Sequence, residues 1–151
     1  MRKINGIILH WYGTGDYKNT VEQTREFHMK NRGYSDIGYH YVILHPDCPV
    51  FKNNPPKVWG DLIKVGRPIE KVGAHALGHN TGTMGVCVAL VQGMKPHPLQ
   101  LQAVRMGIPI WAIRHSIDLK SKIGLRGHGE TFSTACPGPD LMKEVKALRG
   151  F

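Results

Sequence analysis

His128 and Cys136 stand eight residues apart in the stretch Gly127-His128-Gly129-Glu130-Thr131-Phe132-Ser133-Thr134-Ala135-Cys136-Pro137-Gly138, with small and polar residues between them. Glycine on either side of the histidine lets the backbone turn sharply and leaves the imidazole accessible. Pro137-Gly138-Pro139 fixes the exit from the cysteine and hands the chain to a final helix. Imidazole nitrogen and thiolate sulfur are ligands that Zn²⁺ prefers. A closed structural zinc site takes four protein ligands. Two ligands from this stretch and one more distant ligand would make a three-ligand site with an open position, the catalytic arrangement. A buried cysteine and a loop histidine that never meet satisfy the same spacing, because both residue types are common in cores and loops.

The distant ligand has a candidate in His10. Ile4 to Trp11 is a short apolar run rich in β-branched residues and bounded by Gly13 and Gly15, which predicts a buried strand ending at His10. Strand ends at one edge of an open α/β sheet are where such folds place their sites. A histidine packed in the core beside Trp11 reads equally well from the residues alone. A second polar concentration is Gly73-Ala74-His75-Ala76-Leu77-Gly78-His79-Asn80-Thr81-Gly82, a loop that can bring a ligand close to the backbone and offer it neutral hydrogen bonds.

Other elements must position these groups. Thr20 followed by Gln23 is a capping-box pattern, and Val21, Thr24, Phe27, His28 and Asn31 keep helical spacing up to Gly33, which predicts a helix over 20–32. Gly38 to Leu44 reads as a strand with Tyr39, Tyr41 and Ile43 on one face and His40, Val42 and Leu44 on the other. Residues 45–60 are rich in Pro, Asn and Gly and predict a long loop with room for a short hairpin. Ile63–Val65 reads as a short strand. Met84 to Val91 is a near-continuous apolar run, a central-strand candidate in which Cys87 belongs to the core.

Pro98 to Ser116 has helical spacing, and Gly107 and Pro109 inside it predict a kink or two pieces. Gly124–Gly127 reads as a short strand delivering His128, and Asp140–Leu148 as a closing helix. His28, His40, His97 and His115 read as surface or internally satisfied histidines. The order β-α-β-β-β-α-β-α predicts a single α/β domain over residues 1–151, with a central mixed sheet flanked by helices.

A chain of 151 residues with 41% hydrophobic and 21% charged residues is ordinary globular material, long enough to bury its own core. Met1-Arg2-Lys3 is a basic start, but the run after it is too short and too polar for a signal peptide, so the chain is expected to be made and kept in the cytoplasm. Cys48, Cys87 and Cys136 lack a secreted-type spacing and are expected to be reduced thiols. The formal charge of +9 is spread along the chain. It favours a general attraction to an anionic polymer, whether bacterial wall, lipid headgroups or nucleic acid, and is equally compatible with a solvated basic surface.

Taken in order, the motifs IILHWYGT, GYHYVIL, VGAHALGHNTGTMGVCVAL and GHGETFSTACPGPDL resemble the zinc-dependent N-acetylmuramoyl-L-alanine amidases of the small phage endolysin and peptidoglycan-recognition-protein type. The resemblance runs from Ile4 to about Leu148. It implies that His10, His128 and Cys136 hold Zn²⁺ and that Tyr39 assists the metal-bound water or the oxyanion. Thr134 falls where phage enzymes often have Lys and amidase-active recognition proteins often have Thr. His75 and Asn80 would line the substrate groove together with Trp11, which stands where the family usually has His or Cys; His79 would line the groove or simply hold its loop. Residues 45–60 look like an insertion relative to the minimal phage enzymes.

The implied activity is hydrolysis of the amide between the lactyl group of N-acetylmuramic acid and L-alanine. The partner would be bacterial peptidoglycan, met by a monomer with no specific nucleic acid and no membrane insertion. Without an export signal or a wall-binding domain, the reading is a phage endolysin kept in the host cytoplasm until release to the wall. A recycling amidase acting on soluble muropeptides fits the basic charge less well. A binding module without catalysis is disfavoured because such relatives commonly replace the cysteine, and Cys136 is present. A polymerase- or nucleic-acid-binding regulator finds no matching motif.

Overall fold

The structure, a computed structural model, describes residues 2–150. A five-stranded mixed sheet has the order β3-β2-β4-β1-β5, formed by β1 (Gly6–Gly13), β2 (Tyr41–Ile43), β3 (Ile63–Val65), β4 (Thr83–Val91) and β5 (Leu125–Gly127). β4 pairs in parallel with β1 and β2, β5 pairs in parallel with β1, and β3 closes the other edge antiparallel to β2. The helices are α1 (Val21–Asn31), α2 (Pro98–His115) and α3 (Pro139–Arg149). β4 lies between two parallel neighbours and is buried from Thr83 to Leu90, which is why it reads as an unbroken apolar run rather than an alternation.

Register assigns the sheet's two faces. His10 and Val42 both pair with Cys87, so these three side chains form one row on one face. Leu9 and Tyr41 both pair with Val86 and form a row on the other. Tyr41 stacks on Trp111 of α2 at 4.8 Å between ring centroids, so that face meets α2. Over the His10 face, Tyr39 lies 5.1 Å from the His10 ring and 5.3 Å from His28 of α1.

Local chemistry sets the helix ends. The Gln23 backbone N–H donates to Thr20 Oγ1, and the Thr20 N–H donates to Gln23 Oε1, so the capping box is complete. α1 buries Val21, Thr24 and His28, one face of three turns. The Gly38 N–H donates to His28 Nδ1 and the Gly85 N–H to His40 Nδ1, so both buried imidazoles are satisfied in packing. Burial, with nearby guanidinium groups, lowers each of them to a pKa of about 4.

Four expectations change. β1 does not end at His10; it continues to Gly13, because Trp11 and Gly13 still pair with β4, and His10 is therefore held within a strand. β2 starts only at Tyr41, so Tyr39 precedes the strand and escapes its alternation, facing His10 rather than joining Tyr41 on the α2 side. Residues 45–60 form no hairpin; the 3₁₀ turn Pro49–Phe51 and a second beginning at Trp59 carry the chain, with Cys48 and Phe51 buried beneath. α2 is one helix rather than two pieces, with Pro109 inside it. Its buried face, including Val104, Gly107, Ile108 and Trp111, outweighs the hydrogen bond that Pro109 cannot donate.

The last turn of α3 reaches back under β5. Arg149 Nη1 donates to Glu130 Oε1 at 2.8 Å, to Oε2 at 2.9 Å and to the Leu125 carbonyl, while Glu130 Oε1 also accepts from the Gly127 N–H. Glu130→Ala removes the carboxylate from a buried guanidinium and is expected to cost about 2–3 kcal/mol, a little below a fully buried pair because Glu130 is partly exposed. Urea unfolding of the variant against the wild type checks it.

The buried imidazoles give a pH signature. Their folded pKa values of about 4 lie below the ordinary value, so the unfolded chain binds more protons as the pH drops. Stability from this source is full above about pH 6.5 and is lost as the pH falls toward 4. The denaturation midpoint in chelator is expected to be flat from pH 8 to 7 and to fall steadily below about 6.5, with the His28→Gln variant losing part of that slope.

Candidate active site

Parallel pairing brings the separate parts of the site together. Leu9 is level with Gly127, so the residues that follow them, His10 within β1 and His128 just past the end of β5, arrive side by side, with ring centroids 4.5 Å apart. β5 ends there, and the 3₁₀ turn His128–Glu130 begins the loop that carries the chain to Cys136. The loop closes through the Gly129 N–H, which donates to the Cys136 carbonyl at 2.6 Å. Gly138 then takes φ +88°, and a Cβ there would sit 2.4 Å from the Trp11 indole, so glycine alone lets the chain leave across that ring.

One nitrogen from each histidine and the Cys136 sulfur lie within 4.8 Å of one another. His10 Nδ1 and Cys136 Sγ are 3.7 Å apart. A tetrahedral centre with Zn–N near 2.1 Å and Zn–S near 2.3 Å sets its nitrogen and sulfur ligands about 3.6 Å apart, so this pair is spaced for a shared ion. The surroundings suit the ligand states that zinc requires. Burial, then the neighbouring His75, His128 and His28 rings, hold His10 well below the usual histidine pKa, so it offers a lone pair. Burial and His79 lower His128 in the same direction.

Cys136 is the counterpart. Burial pushes its thiol up to about 12, while the Trp11 backbone N–H, 3.4 Å from the sulfur, favours the thiolate. A thiol so placed is held in the ligand form by a cation at the same point, which is the sense in which the donor set fits Zn²⁺.

The three groups stand at the wall of a cavity of about 360 Å³ that Trp11, Tyr39, His75 and Thr134 also line. Burial pushes the Tyr39 phenol well above its usual range, so it keeps its proton at neutral pH. Thr134 Oγ1 accepts from the Cys136 N–H at 3.3 Å and so keeps its own proton to donate. Of the residues expected to border the groove, Asn80 and His79 do not line this cavity. Asn80 Oδ1 accepts from the His75 and Ala76 N–H groups and ties its own loop together. His79 Nδ1 faces Arg126 Nη1 at 3.4 Å.

The cavity has further walls that sequence reasoning missed: Tyr12, His28, Arg32 and Phe132, the last with its ring near-parallel to His128. Helical spacing assigned His28 to a packed face of α1. It carried no sign that this face borders the site, because that depends on where α1 lies over the sheet.

Comparison with known proteins agrees with the geometry. Residues 1–139 match the family model described as N-acetylmuramoyl-L-alanine amidase. The chain is 28% identical over 148 residues to the endolysin of Escherichia phage T7, covering 92% of this chain and 83% of that one. It is 32% identical over 132 residues to an N-acetylmuramoyl-L-alanine amidase of Homo sapiens, covering 87% of this chain and 20% of the human protein. Among solved structures, the endolysin amidase LysCS from Clostridium intestinale superposes with a TM-score of 0.74 at 25% identity, covering 99% of this chain and 85% of that one. The motif order, the mixed sheet and the match over most of the chain agree, and the chain belongs to the N-acetylmuramoyl-L-alanine amidase family.

Proposed function

We propose that this chain hydrolyses the amide between the lactyl group of N-acetylmuramic acid and L-alanine in bacterial peptidoglycan, with Zn²⁺ held by His10, His128 and Cys136. The observation that carries the reading is the convergence of those three donor atoms at the wall of a cavity. Held by these three side chains, the ion would supply Lewis-acid chemistry, polarising a carbonyl oxygen and lowering the pKa of water toward neutrality.

The chain's own groups supply the rest. His10 and His128 are neutral and present lone pairs, and the Trp11 N–H steadies the Cys136 sulfur. Tyr39 keeps its phenolic proton and donates it as a hydrogen bond to the oxyanion that forms when the carbonyl carbon becomes tetrahedral. Thr134 serves as a second hydroxyl donor on the cavity wall. None of the lining residues is Asp or Glu, so protons reach the leaving L-alanine nitrogen through hydroxyl and imidazole groups or solvent rather than through a carboxylate. The net charge of +9 suits an anionic wall polymer, which favours a wall-degrading endolysin over an enzyme for soluble muropeptides. Trp11 and His75 serve as substrate-side walls of the cavity. No helix among the described residues is long and apolar enough to cross a membrane.

On purified sacculi the protein is expected to release new L-alanine amino termini, to stop after chelation and to resume when zinc is restored. Cys136→Ala removes a ligand and is expected to cost on the order of 10³-fold in kcat, since a metal's electrostatic contribution is several kcal/mol and about 1.4 kcal/mol is tenfold. Binding to sacculi with no new termini under any metal condition would replace the enzyme with a binding module.

Tyr39→Phe keeps the ring and removes the donor. It is expected to lower kcat by about 10²–10³-fold with KM nearly unchanged, the signature of a contact made in the transition state. Steady-state kinetics on a soluble muropeptide reads both parameters; an equal loss spread into KM assigns Tyr39 to substrate binding.

A further inference from the structure

His10 uses both of its ring nitrogens. Nδ1 faces Cys136, and Nε2 lies 2.9 Å from His75 Nδ1, with the two rings edge to face. His75 Nε2 in turn lies 3.3 Å from Thr83 Oγ1, and Thr83 Oγ1 is 2.6 Å from the His79 carbonyl and 3.2 Å from the Asn80 carbonyl. Carbonyl oxygens only accept, so the single Thr83 hydroxyl proton is directed at them. Toward His75 the hydroxyl can then only accept, which requires a proton on His75 Nε2. In a neutral His75 this leaves a lone pair on Nδ1, which requires a proton on His10 Nε2. His10 Nδ1 is thereby left with the lone pair that points at Cys136. His75 is 8% exposed and Thr83 3%, so water does not readily substitute for either partner.

From this chain of hydrogen bonds we infer that His75, oriented by Thr83, is a positioning residue that fixes the tautomer and ring angle of His10 and thereby sets the affinity of the metal centre. The inference rests on the assignment of His10 as a ligand and adds a role for His75 distinct from lining the cavity. Backbone hydrogen bonds support the same geometry. The His75 N–H is held by Asn80 Oδ1 at 2.8 Å, so the loop itself is tied at this residue. β4 contributes a gap: a Cβ on Gly85 would lie 2.5 Å from the His75 ring, so glycine at that position makes room for the imidazole against the sheet. Outer partners of this kind typically set metal affinity by roughly 10–100-fold.

Two measurements test the inference without peptidoglycan. Nitrogen-15 NMR of the metal-free wild type is expected to show His10 with its proton on Nε2. A proton on Nδ1 overturns the proposal, whatever the variants do. Zinc affinity by competition with a chromophoric chelator is expected to fall roughly 10–100-fold in His75→Ala and Gly85→Ala. His75→Asn, whose side-chain oxygen can accept from His10 Nε2, is expected to recover most of the loss. Zinc affinity within twofold of wild type in folded His75→Ala, with KM raised on substrate, would make His75 a substrate contact instead. Failure of the amidase reading would appear as zinc binding without cleavage, and would leave both readouts intact.

Discussion

The parallel pairing of β1 with β5, Leu9 level with Gly127, is the constraint on which the site depends. It delivers two imidazoles from distant parts of the chain to the same height at the sheet. A one-residue slip would turn His10 to the α2 face, where Tyr41 and Trp111 pack, and would leave His128 without a partner. The register is itself held by burial: Ile7, Ile8 and Leu9 are fully buried, so the strand has no alternative position that keeps them from water. The site's precision is thus a consequence of the core rather than an addition to it.

Around that pairing the chain places groups that resist ionisation. Burial keeps His10 neutral, Tyr39 protonated and, in the absence of a cation, the Cys136 thiol protonated as well. In the proposed reaction, each state but the last is the one that metal binding or oxyanion stabilisation would use. The exception agrees with the proposed Zn²⁺, since a cation at that point would supply the charge that makes the thiolate favourable. The enclosing residues serve both purposes: Trp11 supplies a backbone N–H to the sulfur and an indole that lines the cavity.

Much of the architecture was legible in the residues. The capping box at Thr20, the apolar run of β4, the edge strand Ile63–Val65 and the order of elements all follow from local propensity and pattern. The failures share a cause. β1 outran its predicted end because pairing with β4 continued, α2 stayed whole because its buried face held it, and Tyr39 left its predicted face because β2 forms only from Tyr41. In each case a tertiary contact outweighed a local signal of about 1–3 kcal/mol.

By itself the sequence determined which chemistry was available. His10, His128 and Cys136 are the residue types a zinc site needs, and their motifs occur in a family's order, because ligand chemistry resides in side chains that any reading of the chain can name. Which nitrogen of His10 faces the sulfur, that His75 stands behind it, that Asn80 ties a loop instead of facing the cavity, and that α1 brings His28 and Arg32 to the wall were decided only by the tertiary structure. The physical reason is that these are relations between segments tens of residues apart. They are set by strand register and by where a helix lies on the sheet, neither of which leaves a local pattern in the chain.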